Sequence, residues 1–311
     1  MRNLTKQQTG FTLVEMIMVI VITGIIGGIV AMFLKAPIQQ YMDVARRAEL
    51  TDIADTAVRR MARDVRTAVP NSVRPQGQST YVEFLPTKDG GRYRANVDST
   101  DDVCPETASD DDVLSFSSND TCFEILGPEI TFASGVAPDY AGADRIVVGS
   151  TQSDGKPAYD NTETGILRAY TGVGGSRSMV DIVGVQFPAF AELDSQRFAV
   201  VPGDQQAVTY ACVGMQGGAL DANQNGQGKL MRYWGYGFQS TQVAPPTVVG
   251  GSDGIGALTP SSAILADKVR ACEITYEVPN QRFGLLAVRL TLTSNNESVT
   301  LYNEIHVNNA P

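Results

Sequence analysis

Glu15 is the first residue of this chain whose chemistry demands a partner. It is the single charged residue in the 24 positions from Phe11 to Leu34, which are otherwise apolar or small. A carboxylate in such a run costs about 2–3 kcal/mol near a bilayer centre and less near an end, so it persists where a cation meets it. Pairing with an ammonium neutralises two charges that hydrocarbon solvates poorly. The second group is four cysteines, Cys104, Cys122, Cys212 and Cys272, with no C-x-x-C pair among them. In an exported chain such cysteines predict disulfides rather than metal or thiol chemistry, and three connectivities are formally open. Cys104–Cys122 and Cys212–Cys272 are preferred. The first would clamp an acidic segment holding Glu106, Asp110, Asp111 and Asp112, and the second would tie two strands of the C-terminal region.

Three further patterns carry weaker chemistry. Asp221-Ala222-Asn223-Gln224-Asn225-Gly226 follows the opening of a calcium loop, with oxygen donors on alternating residues and a turn glycine. Its twelfth position is Arg232, not a bidentate glutamate, which favours a polar hairpin tip over a calcium site at Asp221, Asn223 and Asn225. Gly250-Gly251-Ser252-Asp253-Gly254 matches G-x-S-x-G, and His306, the one histidine, lies downstream. A nucleophile elbow needs a strand-turn-helix in a parallel sheet, and no βαβ alternation surrounds this match, so no catalytic residue is assigned. Tyr233, Trp234 and Tyr236 could stack on a sugar, although aromatics in a β domain more often pack the core.

The elements that position these residues are one long helix and a β-rich region. Phe11–Leu34 is long enough to span about 30 Å of hydrocarbon as a helix. Arg2 and Lys6 precede it without an acid, which holds the N-terminal arm cytoplasmic and exports everything beyond Leu34. Gly24 and Gly28 form a G-x-x-x-G pair with Gly27 beside them, a pattern that lets helices approach closely. Pro37 is read as a kink rather than an end, because apolar residues at spacings of three and four resume from Ile38 and run to Val69. The opposite face is charged, with pairs such as Asp55 and Arg59 four apart, and reads as solvated. Pro70 stops the helix.

Beyond Pro70, short β-rich runs replace the helical period. They are read at 81–85, 112–116, 145–148, 182–187, 197–201, 207–212 and 230–234. A hairpin joins 272–278 to 285–293 through Pro279–Gly284, and 298–307 supplies a closing strand. A brief helix is read at 261–268. One helix followed by runs of strands predicts an α+β fold, with antiparallel sheets packed on the helix and two sheets in the head. The boundaries expected are 1–10, 11–34, 35–69 and 70–311. The chain carries 24 basic and 34 acidic residues, and an acidic exported domain with scattered charges argues against nucleic-acid binding.

Gly10-Phe11-Thr12-Leu13-Val14-Glu15 with its basic arm and uninterrupted span resembles the prepilin leader of type IV pilins and type II secretion pseudopilins. The resemblance implies cleavage after Gly10 by a prepilin peptidase and methylation of the new amino terminus at Phe11. It implies that Glu15 guides the subunit into a filament by meeting a neighbour's terminal ammonium. The implied location is the inner membrane, single-pass with the head in the periplasm, and then the pilus on the cell surface.

Later stretches sharpen the likeness. Arg59–Arg66 leading into Val69–Arg74, Phe123–Pro128, Gln196–Val201 and the ending Leu301–Asn309 are similar to MshO-type minor pilins of the mannose-sensitive haemagglutinin (MSHA) pilus. The cysteines at 104 and 122 depart from any pattern placed in that family. This likeness implies a low-abundance subunit that helps initiate pilus assembly near the tip. Its partners would be other minor and major pilins and the inner-membrane assembly platform, with no cofactor beyond the calcium considered above. A type II secretion minor pseudopilin and a glycan-binding tip adhesin are the alternatives.

Overall fold

The structure, a computed structural model, describes residues 10–75, 80–95, 113–138, 140–152, 156–160, 162–242, 261–280 and 282–310. It divides into two compact units, Met1–Glu49 and Leu50–Pro311. A single helix, α1, runs Leu13–Arg66 and is helical through Pro37. In the first unit its large apolar side chains from Leu13 to Val44 are exposed, including Ile38, Tyr41 and Met42 of the expected stripe.

In the second unit the stripe is buried. Leu50, Ala54, Ala57, Val58, Met61, Ala62 and Val65 recur every three or four residues and pack on a sheet. Burying each of the larger ones, Leu50, Val58, Met61 and Val65, contributes about 1.5–3 kcal/mol. The helix ends at Arg66, three residues before the expected Val69. Ala68 bridges Pro86, and the Val69 amide donates to the Leu85 carbonyl at 2.8 Å, so the sheet takes the chain over before Pro70.

The strands in chain order are β1 Arg74–Pro75, β2 Tyr81–Phe84, β3 Asp89–Tyr93, β4 Cys122–Leu126, β5 Ile130–Phe132, β6 Arg145–Val148, β7 Leu167–Ala169 and β8 Gly175–Arg177. They continue with β9 Met179–Asp181, β10 Arg197–Val201, β11 Val208–Val213, β12 Gly228–Trp234, β13 Ser261–Asn280, β14 Phe283–Ser294 and β15 Glu297–Asn308. A seven-stranded sheet has the order β1-β2-β11-β12-β13-β14-β15, and a six-stranded sheet the order β7-β6-β10-β3-β4-β9. β5 and β8 pair separately. Each strand pair is antiparallel. The helix face and the seven-stranded sheet share one core, while the six-stranded sheet builds a second around Phe123, Tyr170, Phe187 and Phe198. The fold is therefore α+β, one long N-terminal helix with two principal antiparallel sheets.

Three expectations are corrected. Ser261–Lys268 is not a helix but the first part of β13. Ala266 and Val269 both point into the core, and their helix-like spacing of three comes from an irregular register against β12, with Lys268 at φ 55°. Residues 182–187 are not a strand. Ile182 makes one bridge to Tyr170, and Arg168 takes the carbonyls of Val185 (3.1 Å) and Gln186 (2.7 Å) that a neighbouring strand would take. In the 112–116 run, residues 113–116 form a loop in which the Ser115 amide donates to Asp120 at 2.7 Å. Asp112 lies outside the described residues.

Candidate functional site

The N-terminal segment begins at Gly10 and Phe11, both exposed, with Phe11 at 79 % of its full area. Helix formation starts at Thr12, whose hydroxyl accepts the Glu15 amide at 3.3 Å while its carbonyl accepts the Met16 amide at 3.2 Å. Thr12-Leu13-Val14-Glu15 is thus an N-capping sequence, a T-x-x-E ahead of an apolar run whose capping signal the charge pattern alone does not disclose. Glu15 lies in the first turn, where the helix dipole favours an anion. Further along, the Thr23 hydroxyl donates to the Val19 carbonyl at 2.6 Å, so that hydroxyl is satisfied within the helix. A Cβ placed on Gly24, Gly27 or Gly28 would touch nothing else in the chain, so this small-residue face is open. α1 is long and apolar enough to cross a membrane.

In the second unit a polar junction joins α1 to the seven-stranded sheet. Asp64 Oδ2 accepts from the Tyr210 hydroxyl at 2.6 Å and from Arg232 Nε at 3.1 Å. Arg232 also donates to Gln205 Oε1 at 2.7 Å and lies over the Trp234 ring. Burial, with the Asp64 carboxylate beside it, pushes the Tyr210 phenol well above its ordinary value. The charge pattern of the helix assigns Asp64 to the solvated face, yet it stands three residues after buried Met61 and faces the sheet. Its partner Arg232 is 168 residues away, and no local signal announces it. A second cluster, Arg74, Glu83, Tyr159 and Tyr236, is wholly interior. Arg74 Nε meets Glu83 Oε2 at 2.7 Å, and the Tyr236 hydroxyl donates to Glu83 Oε1 at 2.9 Å.

The cysteines, the polar turn and the aromatic trio lie in the head. Cys212 and Cys272 form a disulfide linking β11 and β13 on either side of β12. Cys122 is also disulfide-bonded, and Cys104 lies outside the described residues. Asp221, Asn223 and Asn225 come together in one turn. Asp221 Oδ1 accepts the Asn223 and Asn225 amides at 2.8 and 2.7 Å, and Asn225 Oδ1 accepts the Asn295 amide at 3.0 Å. The Asn225 amide, followed by the Asn225 side chain and the Asn223 amide, holds the Asp221 carboxyl below the ordinary aspartate range. The Gly250–Gly254 run lies outside the described residues, and His306 is exposed on β15. Tyr233 and Trp234, the last residues of β12, are half-buried, and Tyr236, in the bend after that strand, is buried.

Residues 5–31 match the prokaryotic N-terminal methylation motif. No curated protein and no solved structure matches the chain. The motif is type IV pilin-like and implies processing by a prepilin peptidase and assembly with other pilins.

Proposed function

We propose that this chain is a minor pilin of an MSHA-like type IV pilus that helps initiate assembly and sits near its tip. The observation that carries the reading is the continuity of the methylation motif with the helix that builds the head: Gly10, Phe11 and Glu15 open the same α1 whose last five turns bury their apolar face on a seven-stranded sheet. In this account residues 1–10 are a leader, removed by the prepilin peptidase, and Phe11 is N-methylated. Residues 11–34 hold the subunit in the inner membrane in a single pass, and residues 35–69 carry the helix into a periplasmic head, 70–311. There the assembly platform takes it into contact with minor and major pilins, and the head ends on the cell surface. Glu15 meets a neighbour's ammonium wherever a subunit stands ahead of this one, and Gly24 and Gly28 let a neighbouring helix approach.

The MSHA assignment draws on stretches that the fold places on the exposed arginines of α1, the turn into β1, and strands β4, β10 and β15. The second sheet with its own core supports a place at an end, because a subunit repeated along a shaft must fit its head against copies on every side. None of Tyr233, Trp234 and Tyr236 is exposed, which counts against the glycan-binding alternative. The head acts without a cofactor, and the Asp221 turn serves as a polar hairpin tip.

Labelling this subunit on assembled pili tests the proposal. Label at one end of each filament is the expected result, and label along the shaft would contradict it. Normal pili with lost protein secretion in a deletion strain would transfer the reading to a type II secretion pseudopilin.

A further inference from the structure

β15 closes one side of the seven-stranded sheet, and among the described residues nothing pairs with its outer edge. Its register on β14 runs without a bulge from Phe283↔Asn308 to Ser294↔Glu297. It contains no proline, lysine or arginine, and its two acids, Glu297 at the first position and exposed Glu304, leave Ser298–Asn303 between them uncharged. The other outer strands of the two large sheets are protected by shortness: β1 has two residues and ends in Pro75, and β7 and β9 have three each. One long edge is thus left open in a head that guards the rest.

A row of cations stands beside this edge. Arg59, Arg63 and Arg66 follow one another at helical spacing on the exposed side of α1, and with Asn303 of β15 they border a groove of about 530 Å³. Arg59 is paired with Asp55 at 2.7 Å, while Arg63 and Arg66 meet no carboxylate among the described residues. A helix dipole accounts for cations in a last turn. It does not account for a groove between them and an unpaired strand. Val299 and Leu301, on the core side of β15, are only partly covered.

We propose that the β15 edge and this arginine row form one docking groove, which takes an extended acidic segment of a neighbouring subunit as an eighth strand. Main-chain hydrogen bonds would complete the ladder, and alternate side chains would cover Val299 and Leu301. Carboxylates from the segment would form charge-assisted hydrogen bonds with Arg63 and Arg66. Edge-to-edge pairing with the β15 of a second copy does not fit, because it would bring a second arginine row to the same seam. The inference rests on the reading of the chain as an assembling subunit and names the chemistry of its partner.

The test places a photo-crosslinking residue at Thr300 or Tyr302 of the full-length chain in cells, with exposed Ser176 as control. Adducts mapped by mass spectrometry should join β15 to an acidic segment of a different methylation-motif subunit, and the Ser176 probe should not capture that segment. Arg63→Glu with Arg66→Glu should lower the yield about tenfold or more, since like charges then face each other. Arg63→Lys with Arg66→Lys should retain most of it. The Cys212–Cys272 bridge, read on non-reducing gels, reports that each variant folds. Unchanged yield in the glutamate variant, a captured segment without acids, capture of a second copy, or no adduct in piliated cells would each overturn the proposal. Pilus number plays no part in this readout, so the groove can stand where the initiator role fails, and the reverse.

Discussion

Replacing Asp64 by alanine separates the polar junction of helix and sheet from the apolar packing around it. The Arg232 side chain is 9 % exposed and that of Asp64 23 %, so the pair is mostly but not wholly withdrawn from water. Removing one partner of a fully buried pair costs about 3–5 kcal/mol, because the other charge is left uncompensated. Here Arg232 keeps its bond to Gln205 and some access to solvent, which lowers the expected cost of Asp64→Ala to about 2–3 kcal/mol. Arg232→Met leaves Asp64 with the Tyr210 hydroxyl and partial hydration, and should cost about 1 kcal/mol. The double variant removes both charges and retains apolar volume beside Trp234, so it should cost about 1–2 kcal/mol, less than the sum of the singles. Urea unfolding of the full-length chain in detergent measures this, with Trp234, the sole tryptophan, as the fluorescent probe at the junction. Losses that add to within about 0.5 kcal/mol would refute the coupling and return Asp64 to the solvated face.

Intact mass spectrometry of assembled pili should find the chain beginning at methylated Phe11, and retained Met1 would contradict the leader. Non-reducing peptide mapping should find Cys212 joined to Cys272 and Cys104 to Cys122, with four free thiols as the contrary result. Loop entropy sets the loss on removing the 60-residue Cys212–Cys272 link at about 4 kcal/mol, an upper value that urea unfolding would check. At the Asp221 turn, a carboxyl held below its ordinary value of 3.8 contributes stability in full above that pH and loses it as pH falls through the lowered value. Asp221→Asn should therefore lower stability at neutrality and flatten the acid limb of the stability curve below about pH 4, where that contribution is already lost. Millimolar calcium should produce no heat of binding at this turn.

The methylation motif is local in sequence, so Gly10, Phe11 and Glu15 are readable without a fold. The buried stripe from Ala54 to Val65 and the hairpin of β13 and β14 are also legible, because their periods of 3.6 and 2 are imposed by one partner face. β3 is the opposite case. Asp89-Gly90-Gly91-Arg92-Tyr93 has no strand signal, and it is a strand because glycine lets β10 lie close: a Cβ on Gly90 would sit 2.8 Å from the Phe198 carbonyl oxygen. The start of β13 is hidden by a register irregularity that counterfeits a helical spacing. Asp64 is hidden because charge on a helix reads as solvated until the distant Arg232 is known. What escapes the sequence is therefore what depends on a second, remote segment.

The most direct test of the initiator role is to count pili in a strain lacking this chain and in one carrying Glu15→Val at matched protein level. Deletion should sharply reduce pilus number, because filaments must be started. Glu15→Val should be milder, because a subunit at the tip has none ahead of it whose ammonium its carboxylate must meet. Normal pilus number in the deletion strain would contradict the account.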